Sequence, residues 1–427
     1  MSANDSASIL RRRSFLLGAA SVLTGCVANE AADSLQSGGA AGWGGASGSA
    51  GSAGSAGSAG SAGSAGSAGQ GGSAGSAGSA GQAGPGGAAG QAGADGGAAG
   101  APSDPGGTRF PSVSAIPRID SHVHIGRNDQ TGLNNYLVVR EKTLAETGAD
   151  VALWVDLDSG KLQSWTTDPA GLARLEQRGE GRMIPTYADF YPARGLALTA
   201  ADIASKHNAG YIGYKMHFGS HNKHVPTYPY INDPYFAPVL AAMQAAGMPL
   251  ASIHLEGNWY ESGGSDKQRA ALLHVAKAYP DLRIVIAHFG HHNAAGLGWF
   301  RNAMAACPNL HVDLSASIQH FYKFDHDELR ELMILHADRF LYGTDNINLE
   351  TGVDGKVKKY TAQFEYYETS NMVEAKLVGK TLDGAPSLLK GLALPQEVLE
   401  KIYCFNALRV YPELVGKMKA LGYALPF

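Results

Sequence analysis

The sequence predicts an α/β fold built as a (β/α)8 barrel, preceded by a disordered tether. Three observations carry this. From residue 117 onward, strand-like and helix-like segments alternate through eight units. Several strands, such as Ile284–Ala287, are apolar throughout, as expected for a parallel sheet covered by helices. Eight such units favour a closed TIM-type barrel over an open doubly wound sheet.

The tether comes first in the chain. Half of the 56 glycines lie between residues 38 and 107, in a run that repeats Gly-Ser-Ala and drifts into Gly-Gln-Ala and Gly-Gly-Ala. It has almost no apolar mass to offset its ordering entropy. As a flexible coil it would reach roughly 45–50 Å. Proline is too scarce and the period too broken for collagen. The expected organisation is a signal over 1–26, a disordered linker over 27–115 and one catalytic domain over 116–427.

Arg11-Arg-Arg-Ser-Phe-Leu-Leu17 resembles a twin-arginine export motif, and Leu23-Thr-Gly-Cys26 resembles a lipobox that would be acylated at Cys26. The apolar run between them is too short for a permanent bilayer span. The expectation is an exported protein held on the cell envelope by a lipid anchor, at the periplasmic or outer-membrane surface. Of the three cysteines, Cys307 and Cys404 fall in helix-like segments and read as buried free thiols. A net charge of -4 gives no basic footprint for nucleic acid. The oligomeric state is open, a homo-oligomer included.

The strands are expected at Ile119–Ile125, Val151–Leu157, Arg182–Phe190, Tyr211–Met216, Pro249–Leu255, Arg283–His288, Leu310–Leu314 and Arg339–Gly343. Between them, helices are expected at Leu137–Thr147, Ala170–Gln177, Thr199–His207 with a Thr cap, Asp233–Ala246 closed by Gly247, Asp266–Tyr279, Leu297–Cys307 and His326–His336. Gln396–Val410 reads as the final helix. Residues 346–395 are irregular, with 360–369 the best helix within them.

In the first strand, alternation puts Asp120, His122 and His124 on one face. Two imidazoles at i and i+2 there can grip one divalent ion. Barrel enzymes carry their chemistry at the C-terminal ends of strands. Here the fifth strand ends in His254, the sixth in His288 and the eighth in Asp345. Four histidines and an aspartate thus converge on one rim. Imidazole and carboxylate suit Zn²⁺ or another first-row ion such as Mn, Fe, Co or Ni, and the absence of cysteine ligands argues against a closed structural zinc site. Asp345 or His288 would serve as the base beside it. Lys215, at the end of strand four, would pair with a rim carboxylate or contact substrate. His217, Trp259 and Asp189 are candidate substrate contacts, and Asp156 and Asp158 face the same rim. His207, His274, His311 and His336 read as structural.

Taken together, Ile119-Asp-Ser-His-Val-His124, Gly213-Tyr-Lys-Met-His217, Ile253-His254, Ala287-His288-Phe-Gly, Gly343-Thr-Asp345 and Asn406-Ala-Leu-Arg-Val-Tyr411 resemble the amidohydrolase superfamily, and within it the amidohydrolase-related (amidohydrolase 2) family. The resemblance covers roughly residues 117–415. It implies that His122, His124 and His254 bind the metal, with Asp345 as ligand, proton acceptor or both, and that His288 orients water or polarises a small-molecule substrate. It implies hydrolysis of a lactone, ester or amide through metal-activated water, with non-oxidative decarboxylation as the alternative. In some superfamily members a carboxylated lysine at the place of Lys215 bridges two metals. A non-catalytic binding protein on a degenerate barrel is a third reading, disfavoured by the intact ligands.

Overall fold

The computed structural model describes residues 109–125, 130–157, 169–189, 199–218, 230–255, 264–292, 296–347, 352–379 and 384–426. The chain divides into two units, Met1–Ala98 and Ala99–Phe427. The first unit lies outside the described residues, and with it the expected export signal, Cys26 and the glycine-rich repeat.

In the second unit, eight parallel strands close into a ring. They are β1 (Arg118–His124), β2 (Val151–Asp156), a third strand split into β3 (Met183–Pro185) and β4 (Tyr187–Asp189), then β5 (Tyr214–Phe218), β6 (Leu250–Leu255), β7 (Ile284–Ile286) and β8 (Leu310–Asp313). The eighth is split into β9 (Phe340–Leu341) and β10 (Asn346–Ile347). The hydrogen-bonded order runs β10-β1-β2-β3 and β4-β5-β6-β7-β8-β9. Thr186 joins the two arcs: its N–H donates to Asp156 O at 3.1 Å, while the next N–H, of Tyr187, donates to Gly213 O. The ring closes where Asn346 and Ile347 pair with Val123 and His124. The first split falls inside the strand expected at Arg182–Phe190; the second begins within the strand expected at Arg339–Gly343, and β10 lies beyond its end.

Helices alternate with the strands: α1 (Gln130–Thr147), α2 (Pro169–Arg178), α3 (Ala200–Asn208), α4 (Ala237–Ala246), α5 (Gly264–Ala278), α6 (His288–His292), α7 (Gly296–Ala306), α8 (His326–Leu335) and α9 (Val353–Glu368). Their ends follow local chemistry. Thr199 and Asp202 form a reciprocal capping box on α3. Gly247 ends α4 at φ 66°, a left-handed conformation that glycine adopts without steric cost. Asp325 caps α8 by accepting from the N–H groups of Asp327 and Glu328.

The core has two layers. The strand residues fill the barrel, and a second layer lies between barrel and helices. Trp154 of β2 belongs to the second: it sits edge-on to Tyr136 of α1 and donates through Nε1 to Tyr360 OH of α9 at 2.9 Å. Cys307 and Cys404 are both buried and free.

Four features differ from the sequence expectation. The packed chain reaches back to Arg109: the N–H groups of Arg109 and Phe110 donate to the buried Glu400 carboxylate at 2.8 and 3.0 Å, and the Phe110 ring stacks on Phe405. The irregular region holds the long helix α9 and an antiparallel hairpin, β11 (Met372–Glu374) with β12 (Leu388–Lys390), joined through the short α10 (Ala375–Val378). The expected last helix is α11 (Gln396–Glu400), a π turn over Lys401–Phe405 and α12 (Asn406–Val410). It is not final, because α13 (Glu413–Ala420) follows it. In the π turn the Ile402 carbonyl accepts from Tyr342 N–H at 3.0 Å, inside the break of strand eight.

Candidate metal centre

The centre forms at the C-terminal rim, where β1 and the broken eighth strand run side by side. Strand eight leaves its ladder over residues 342–345, yet three of its amides stay paired. Ile402 O takes Tyr342 N–H, Asp120 Oδ1 takes Thr344 N–H at 3.0 Å, and His122 O takes Asp345 N–H at 2.8 Å. Asp345 is thereby held at φ 55°, a left-handed conformation rare for a residue with a side chain. Gly343 is needed beside it: a Cβ there would stand 3.0 Å from His122 Cβ and 3.2 Å from Ser315 Cβ.

This backbone turns the Asp345 carboxylate to the two histidines of β1. Its Oδ1 lies 3.2 Å from His124 Nε2 and 3.5 Å from His122 Nε2. Ligand atoms on one tetrahedral ion with bonds of about 2.0–2.2 Å stand roughly 3.3–3.6 Å apart, so the spacing fits a shared first-row cation. One ligand atom from each of these three residues lies within 4.8 Å of the others. Among the described residues, buried His122 Nε2 has no hydrogen-bond partner. Burial pushes the His122 imidazole below its ordinary value against the pull of Asp313, and the Lys215 charge lowers it further, so the ring is neutral and able to ligate. Burial opposes the charge on Asp345, but His288, His124 and His122 outweigh it and hold the carboxyl well below its ordinary range.

His288 follows β7 and opens α6 at φ 54°, a second strained residue at the rim. Its ring lies 4.6 Å from that of His122 and 4.8 Å from that of His254, centroid to centroid. The structure thus brings His122, His124, His288 and Asp345 together as the sequence predicts. It places His254 beside His288, outside the tight group made by the other three metal candidates. Lys215 is buried in β5 between Ala188 and Ser252, close enough for its charge to act on His122. Asp189 and His217 lie on β4 and β5, but their side chains, like Trp259 and Asp158, are outside the described residues. Asp156 Oδ1 accepts from Ile125 N–H at 3.1 Å and so anchors the end of β1.

Asp120 departs from the expectation. Simple alternation puts it beside His122 and His124, but the register between β1 and β2 shifts between Asp120 and Val123. That irregularity turns Asp120 into the layer under α9. There it accepts from Tyr360 OH at 2.5 Å, Thr344 Oγ1 at 2.6 Å, Thr344 N–H and His122 N–H. Burial pushes its carboxyl up to about 6, while the four donors favour the ionised form.

Two residues that sequence reasoning passes over complete the centre. Asp313, at the end of β8, accepts from His122 Nδ1 at 2.9 Å through Oδ2 and from His288 N–H at 3.1 Å through Oδ1. Ser315 lies 3.0 Å from His122 Nδ1 and 2.9 Å from His288 Nδ1, and its hydroxyl donates to Asp313. The strand-end rule that selects His254, His288 and Asp345 selects Asp313 equally well, yet the sequence expectation names no rim residue from strand seven.

A parallel barrel whose rim gathers imidazoles and a carboxylate at metal-ligand spacing defines a metal-dependent TIM-barrel enzyme. The sequence profile of the amidohydrolase family matches residues 172–412, more than half of the chain. The chain belongs to the amidohydrolase family, a family of metal-dependent enzymes. Lys215, His254, His288, Asp313 and Asp345 fall inside the matched span, and His122 and His124 precede it. No curated protein matches the chain in sequence. Among solved structures it is similar to an uncharacterized TIM-barrel protein from Bordetella bronchiseptica, at 14% identity over 71% of this chain and 100% of that one, TM-score 0.45. It is also similar to a dihydroorotase from Campylobacter jejuni, at 14% identity over 69% and 83% of the two chains, TM-score 0.42. A 2,6-dihydroxybenzoate decarboxylase from Rhizobium is similar at 12% identity over 70% and 99%, TM-score 0.42.

Proposed function

We propose that the chain is a mononuclear, zinc-type hydrolase that adds water to a carbonyl carbon of a lactone, ester or amide. The observation that carries this reading is the approach of His122 Nε2 and His124 Nε2 to one carboxylate oxygen of Asp345, at 3.5 and 3.2 Å. These three residues, with His254 from β6, would hold the ion. When bound there, such an ion polarises a carbonyl and acidifies water. The protein's own groups supply the rest. Asp345, ionised and partly open to solvent, accepts a proton at its carboxylate. His288, across the centre from it, orients the attacking water. Lys215 contributes a buried positive charge near His122, suited to an anionic group on the substrate.

A second reading within the family is non-oxidative decarboxylation, in which Lys215 would face a carboxylate that leaves as CO₂. Incubating the zinc-loaded chain with panels of lactones, esters and amides on one side and carboxylic acids on the other separates the two. Hydrolysis of a carbonyl substrate, slowed by about 10²–10⁴-fold in Asp345→Asn, is expected. CO₂ release without water incorporation would replace this reading with a carboxy-lyase.

Location belongs to the same proposal. The Arg11-Arg-Arg motif and the lipobox at Cys26 support export and a lipid anchor on the cell envelope. Mass analysis of the N-terminal peptide from a membrane fraction should find diacylglyceryl on Cys26, and Cys26→Ser should move the protein to the soluble fraction.

A further inference from the structure

Resting on the metal-site reading above, we propose that Asp313 is a positioning residue that sets one edge of the centre, fixing both the tautomer of His122 and the backbone of His288. Its two oxygens divide the work. Oδ2 lies 2.9 Å from His122 Nδ1. A carboxylate is acceptor only, so the proton of that bond sits on Nδ1 and the bare Nε2 is turned towards Asp345 and His124. Oδ1 accepts from the N–H of His288 at 3.1 Å and the N–H of Ser315 at 3.0 Å, and also from the Ser315 hydroxyl. It therefore pins His288 in its left-handed conformation.

Ser315 completes the accounting. Its hydroxyl hydrogen goes to Asp313, which leaves only acceptor capacity for the histidines. His288 Nδ1 stands 2.9 Å from Ser315 Oγ and 3.2 Å from Ser315 O, both acceptors in this arrangement. The Nδ1 of His288 is then protonated as well, which fixes the orientation of its ring at the rim. His122, His288 and Asp313 also lie at metal-ligand spacing. Asp313 already accepts from His122 Nδ1 through one oxygen and from His288 N–H through the other, so this group acts as support for the ion's ligands.

Asparagine at 313 makes the test specific. With its oxygen on the three donors near His288, its NH₂ faces His122 Nδ1 and drives the proton to Nε2, where it blocks ligation. The full chain is stripped of metal, and Zn²⁺ affinity is read by competition with a chromophoric chelator. Asp313→Asn is expected to weaken Zn²⁺ binding by about 10–100-fold, whereas Ser315→Ala, which keeps the Asp313–His122 bond, stays within about threefold of wild type. The imidazole ¹⁵N spectrum of the metal-free chain gives a readout independent of metal, with the His122 resonance assigned by His122→Ala. It should show the Nδ1-protonated tautomer in wild type and its loss in Asp313→Asn. Wild-type Zn²⁺ affinity in Asp313→Asn, or an unchanged His122 tautomer, would overturn the role of Asp313 while leaving the metal site standing. A wild type that binds no Zn²⁺ but shows the tautomer change would overturn the metal site alone.

Discussion

His122, Asp345 and His288 each depend on a neighbour for the state that makes them useful, and those neighbours are the residues hardest to read from sequence. Histidines at strand ends stand out because few core positions tolerate them. Asp313 ends its strand as Asp345 follows its own, but it carries no neighbouring histidine motif to mark it, and Ser315, just past the strand, looks like ordinary loop chemistry. Asp120 misleads for a different reason: a one-residue irregularity in β1 reverses the face that alternation assigns to it. At this scale His311 provides a pH prediction. It is buried near the start of β8, and burial first, then the charges of Arg339, Arg283 and Arg409, push its pKa down to about 3 from an ordinary 6.5. Between pH 6.5 and 3 the unfolded chain binds a proton that the folded chain refuses, so stability falls as pH falls through that window. In urea melts between pH 6 and 4, His311→Gln should reduce the acid loss by up to about 1.4 kcal/mol per pH unit.

At the scale of elements, periodicity and capping chemistry located nearly every strand and helix, including the Thr199 cap and Gly247. What they missed are the breaks in strands three and eight, the first half of α9, the hairpin of β11 and β12, and α13; the helix expected at 360–369 is the second half of α9. The breaks have no local signal. The break at residues 342–345 is made by partners distant in sequence, namely Ile402, Asp120 and His122. Helix α9 takes part in the same support, because Tyr360 donates to Asp120 and accepts from Trp154 Nε1. Tyr360→Phe removes one hydroxyl from two buried partners at once. It should cost about 1–3 kcal/mol in thermal or denaturant unfolding with the fold retained.

On the scale of the whole molecule, the barrel class was legible from the count of strand–helix units, and the family from motifs spread over most of the domain. The edge of the folded unit was less so. The segment before Ile116 looks like a continuation of the tether, yet Arg109 and Phe110 satisfy the buried Glu400. A chain beginning at Arg109 should therefore unfold like the full chain, while one beginning at Ile116 leaves Glu400 short of donors and should lose about 2–3 kcal/mol. Denaturant melts of the two truncations against the full chain check this.

Metal held at the barrel rim by His122, His124 and Asp345 underlies every functional role proposed above. Elemental analysis of the purified full chain tests it. Wild type should carry one first-row ion per chain, and His122→Ala should carry none while keeping its fold by circular dichroism. Wild type without metal after reconstitution, or His122→Ala with its metal retained, would contradict the account.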